Sequence, residues 1–180
     1  MKVLILLLMF LFSFSHEIHQ GKEDVEYSTI TYPTIVKLHP PAVHFGIVLP
    51  FTTLLVGAYH VLKGRRFEPL ISILSFLTLF SLTLSLLTGY FIHENIEGII
   101  PQKLAMDLLH LHQKVGFVLL FISSIGFLTA VLYHMIKRKV LMYLFLIVNL
   151  ILCIGVWYQG YLGGRLVYEY SVGVPVEVKR

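Results

Sequence analysis

Covalent cross-linking is closed to this chain: its 180 residues hold one cysteine, Cys153, in the middle of an apolar run. A single thiol excludes an intramolecular disulfide, leaves the redox compartment unread, and in apolar surroundings reads as a packing residue. No CxxCH occurs, which excludes covalently attached c-type haem. Charge is scarce at 13% of residues, and no long apolar run contains an Asp or Glu. Ion-coupled transporters and proton pumps normally keep a buried carboxylate, so that class is disfavoured. The net charge of +4 and pI near 9.2 come from basic residues beside apolar runs, without a basic stripe interleaved with aromatics. Nucleic acid is therefore not an expected partner.

What the chain has in excess is apolar surface. Hydrophobic residues make up 57% and the mean hydropathy is +0.81, which places one domain in the lipid bilayer. Residues 1–15 combine Lys2, an apolar stretch and two closing serines, and read as a signal peptide. Residues 16–38 are polar and read as an exported tail. Four apolar segments follow, near 43–62, 69–92, 108–136 and 140–162, each long enough to cross about 30 Å of hydrocarbon. The expected fold is an all-α integral membrane bundle of four helices running up, down, up, down, occupying 39–174, with 175–180 as an exported C-terminal tail. Two short connections carry Lys63, Arg65 and Arg66, and Lys137, Arg138 and Lys139, and the positive-inside rule makes them cytoplasmic. Both mature termini and the 93–107 loop then lie outside, in agreement with a signal peptide.

The histidines fall into layers on this topology. His44, one turn into the first helix, His112, one turn into the third, and His93, closing the second, share one depth at the exported end. His60 and His134 belong to the cytoplasmic ends, where they read as polar caps. In LHLHQKVG, His110 shares a side with Lys114, whereas His112 shares one with Gly116, Leu119, Ser123 and Gly126. That assigns His112 to the interior and His110 to the interface. The stripe at and beyond Gly116 lets helices approach closely or makes room for a flat cofactor. The second helix carries Ser72, Ser75, Thr78, Ser81, Ser85 and Thr88 at spacings of three or four, a face expected to turn inward and bond to neighbouring helices. Asn149 reads as a further packing residue.

Two imidazoles from facing helices at one depth are what holds a six-coordinate b-type haem, and His44 with His112 fit that description. Phe45, Phe117, Tyr90 and Trp157 are expected to surround them. His39, before Pro40 and Pro41, is the rival to His44. A copper or zinc site built from His39, His44, His93 and His112, with His110 as an exchange for His112, is the second reading. A cofactor-free structural subunit of a larger membrane complex is the third. Gly163 and Gly164 are expected to end the fourth helix so that Leu166 to Val174 fold back in extended form over the site. Arg165 is then placed to meet an anion, either a haem propionate, a lipid phosphate or Glu169.

The stretches HPPAVHFGI, TGYF, HLHQKVG and YLGGRLVYEYSVGVP resemble the bacterial four-helix membrane family catalogued as domain of unknown function two-two-three-one, over residues 38 to 174. The family pattern begins HPxxVHFPI and ends GGxLVYxxGVGV. Here Gly46 stands where proline is usual and Ser171 where glycine is usual. The resemblance implies four spans in a bacterial inner membrane. Through members fused to cytochrome c modules it also implies electron transfer, with a cytochrome c or other redox protein as partner on the exported side. His39, His44 and His112 match its motif.

Overall fold

The structure, a computed structural model, describes residues 27–29, 34–96, 103–172 and 177–179. The segment expected to be a signal peptide, most of the tail before the bundle, and Glu97 in the 93–107 loop lie outside those residues. Two three-residue strands, β1 (Tyr27–Thr29) and β2 (Glu177–Lys179), pair with each other. Neither was legible in the sequence, where segments this short carry no usable alternation.

Four helices make up the bundle: α1 (His39–Leu62), α2 (Pro69–Ile96), α3 (Lys103–Ile136) and α4 (Lys139–Tyr170). A 3-10 turn, Thr34–Leu38, leads into α1 and packs beside α1 and α2. Pro40 and Pro41 sit in the first turn of α1, where a missing N–H costs nothing. The helix stops at Gly64, whose φ of +61° only glycine adopts freely. There the Arg65 N–H reaches the His60 carbonyl and the Gly64 N–H reaches the Val61 carbonyl.

Each helix packs on two neighbours: α1 on α2 and α4, and α3 on α2 and α4, with no close backbone approach between α1 and α3 or between α2 and α4 among the described residues. The cross-section is therefore square, with α1 diagonal to α3. All four helices are long and apolar enough to cross a membrane. Only 28% of the most apolar window is buried within the chain for α1, α2 and α3, and 39% for α4, so most of that surface needs lipid as its solvent.

Small residues set the close approaches. Along α1 the buried positions are Ala42, Gly46, Pro50, Thr53, Gly57 and His60, a stripe spaced by three and four. A Cβ on Gly46 would stand 3.2 Å from Ser85 Oγ, and one on Gly57 2.9 Å from the Phe145 ring. Gly46 thus brings α1 against α2. The serine and threonine face of α2 does turn inward, with Ser75, Thr78, Ser81 and Thr88 buried. Most of these hydroxyls bond carbonyls of their own helix, such as Ser75 to Ile71 and Ser85 to Ser81, and fewer cross between helices than expected. One that crosses is Thr53 to Thr78, at 3.1 Å.

At the Gly64 end, Phe67, Tyr133 and Phe145 pack with ring centroids 5.1 Å apart around Ile71 and Ala130. His60 is drawn into this cluster at 5% exposure, its Nδ1–H on the Val56 carbonyl and its ring edge-on to Phe67. It is a core residue more than an interfacial cap. His134 is half-buried and receives Lys137 Nζ at 3.3 Å. Asn149 is buried beside Gly126 and donates to the Phe145 carbonyl.

The largest departure from the sequence reading is in α4. It runs through Gly163 and Gly164 to Tyr170, where an extended flap was expected. Tertiary packing overrides the glycines: Gly163 lies against His112, Leu162 and Leu166 are buried, and Arg165 pairs with Glu169 one turn later. The end comes at Ser171, in the left-handed region at φ 55°, with the Leu166 and Val167 carbonyls taken by the N–H groups of Val172 and Ser171.

Candidate histidine site

The end of the bundle opposite Gly64 gathers imidazoles from three helices. His39, the first residue of α1, points at α2. Its Nδ1 lies 2.9 Å from Thr88 Oγ1, and its ring lies flat where a Cβ on Gly89 would be, 3.0 Å from Cε1. The Thr88 hydroxyl spends its one proton on the Leu84 carbonyl at 2.8 Å. Thr88 must then accept from His39, so His39 carries its proton on Nδ1 and keeps a lone pair on Nε2.

His112 sits diagonally opposite on α3, half-buried against Gly163 of α4. Gln159 clamps it: the amide nitrogen donates to the His112 backbone carbonyl at 3.0 Å and to His112 Nε2 at 3.1 Å. An amide nitrogen only donates, so Nε2 of His112 is the lone-pair nitrogen and Nδ1 carries the proton. That Nδ1 and Gln159 Oε1 are buried with no hydrogen-bond partner among the described residues.

His44 does not join them. Its side chain is exposed, and its Nδ1–H turns back to the Pro40 carbonyl at 2.6 Å. The expected aromatic surround is likewise on the outside, with Phe45, Phe117, Tyr90 and Trp157 all at least half exposed. The signal that separates the two histidines is the small-residue stripe of α1. Continued three residues back from Ala42 it reaches His39, whereas His44 lies two residues from Gly46, on the other side of the helix.

His93 and His110 form a second pair, with ring centroids 5.2 Å apart. His110 therefore faces α2, as His112 faces α4. Gly116 serves close packing: a Cβ there would meet Leu86 at 3.2 Å and the Gln159 amide at 3.5 Å. Arg165 makes a two-pronged ion pair with Glu169, both bonds 2.8 Å, on the exposed face of α4. Among the described residues no three His, Cys, Asp or Glu side chains converge on one point. The four-histidine copper or zinc site expected from the sequence is thus not assembled, because His44 faces away and His93 pairs with His110.

Residues 36–175 match the model of a family described as predicted membrane protein, DUF2231. The chain belongs to that family. Neither a curated protein nor a solved structure matches it. The matched stretch spans the whole bundle and includes His39, His44, His93, His110, His112, Gln159 and Arg165, so every residue of the site lies within family sequence.

Proposed function

We propose that this membrane protein binds a b-type haem between α1 and α3 at the His39 end of the bundle and carries single electrons. His39 and His112 are the axial pair. The observation that carries the reading is the matched tautomers: each imidazole is protonated on Nδ1 and has its lone pair on Nε2, the form a histidine takes when it ligates iron. Thr88 is the outer partner that fixes His39, and Gly89 and Gly163 are the residues whose missing side chains accommodate the two rings. Gln159 releases Nε2 of His112 when iron takes that lone pair. Bound haem supplies a one-electron couple, and the chain supplies orientation and a low-dielectric surround. The membrane is the bacterial inner membrane, with the His39 end on the exported side, on the basic connections at the opposite end. A cytochrome c or similar soluble redox protein would be the partner there.

A reduced-minus-oxidised visible spectrum of detergent-purified protein, made with ample haem supply, tests this. Near-equimolar low-spin haem, lost in His39→Ala and His112→Ala and kept in His44→Ala, is the expected result. Absence of haem from the wild-type protein overturns it. Loss in His44→Ala with retention in His39→Ala would return His44 to the ligand position that spacing alone suggested.

A further inference from the structure

We propose that His93 and His110 form a separate binding site for a first-row divalent metal ion of the zinc type. The two rings come from different helices, α2 and α3, and meet with centroids 5.2 Å apart and planes tilted by 39°. Zinc–nitrogen bonds of about 2.0–2.1 Å opening at a tetrahedral angle set two ligating imidazole centroids about 5 Å apart. The two helices therefore hold this pair of rings at a spacing compatible with a tetrahedral ion. Both residues are half-buried, with His93 Nε2 shielded from solvent.

Charges near the pair are divided. Asp107 lies one turn before His110 on α3 and Lys114 one turn after it, both exposed. Of these two described side chains, the carboxylate favours a cation and the ammonium opposes it. With no third His, Cys, Asp or Glu converging among the described residues, water completes the shell. Such a site exchanges its ion readily, unlike a closed structural zinc centre. It shares no ligand with the His39–His112 pair, so it stands or falls independently of haem.

The test is titration of the full-length, chelator-treated protein in detergent with cobalt(II), a visible reporter for tetrahedral zinc sites, followed by displacement with zinc(II). One equivalent giving tetrahedral cobalt bands is expected. The signal is lost in His93→Gln and in His110→Gln, and retained in His39→Gln, His44→Gln and a tail variant lacking His16 and His19. His110→Cys restores binding with a thiolate-to-cobalt band, a rescue that a misfolded bundle would not give. Bands that persist in both His93→Gln and His110→Gln, or no tetrahedral band in the wild-type protein, overturn the proposal.

Discussion

Gly89 carries no side chain where the imidazole of His39 lies: a Cβ there would come within 3.0 Å of His39 Cε1. The first residue of one membrane helix is thereby seated on the face of the next, one residue beyond the threonine that orients it. Gly160 on α4 is the opposite case, with nothing within 4 Å of its would-be Cβ.

Gly89→Val should displace the His39 ring, break its bond to Thr88 and cost about 1–3 kcal/mol, the usual penalty of overpacking. Gly160→Ala should leave stability unchanged or raise it by up to about 1 kcal/mol, since alanine is the better helix former. Thermal midpoints in one detergent compare the two directly. Equal effects would mean that the α1–α2 contact at Gly89 is not close.

Nitrogen-15 NMR of selectively labelled histidine should find His112 as the Nδ1–H tautomer in protein free of haem and metal. Gln159→Leu removes the amide that donates to Nε2, and the His112 signals should then shift toward a tautomer mixture. A wild-type His112 protonated on Nε2 would refute the clamp.

Ser171→Gly should stabilise the end of α4 by about 1 kcal/mol, because a side chain in the left-handed region carries a penalty of that size. Ser171→Val should lower stability by a similar or larger amount, β-branching being least compatible with positive φ. Guanidinium or heat unfolding in detergent, followed by helix content, measures both. Unfolding that is indifferent to all three residues would place Ser171 outside the left-handed region.

Thr78 gives its proton to the Leu74 carbonyl, so in the contact with Thr53 the donor is Thr53. Thr53→Val should cost about 0.6 kcal/mol, the average for a hydrogen bond between membrane helices. A double-mutant cycle with Thr78→Val isolates the coupling, and a value near zero would show the two hydroxyls act independently.

The four spans were legible because length and apolar composition speak directly about a bilayer, whereas the square cross-section came from the helix contacts. The inward face of α2 was legible because its serines and threonines stand out against leucine. The direction of His44 was misread as inward, because lipid rewards an apolar residue on the outside as much as packing rewards one within. A helix apolar all round gives no amphipathic contrast. Only the small-residue stripe through Ala42, Gly46, Thr53 and Gly57 distinguishes inside from outside. The continuation of α4 through Gly163 and Gly164 was misread for a related reason. Local propensity favours a stop there, and the contacts that override it come from His112 on α3, far away in sequence.

The length of α3 fixes where the imidazoles sit relative to the hydrocarbon. From His112 to Ile136, beside the lysines and arginine of the last connection, the helix rises about 36 Å, and α1 rises nearly as far from His39 to Leu62. A hydrocarbon slab of about 30 Å whose boundary lies at those basic residues ends before it reaches either histidine. On that placement the histidine layer would lie at the opposite rim of the slab, with protein packed around His39 and His112 and lipid headgroups outside them. At such a rim the adjoining water would reach the layer without crossing hydrocarbon, and the proposed site would respond to the acidity and salt of the solution on that side.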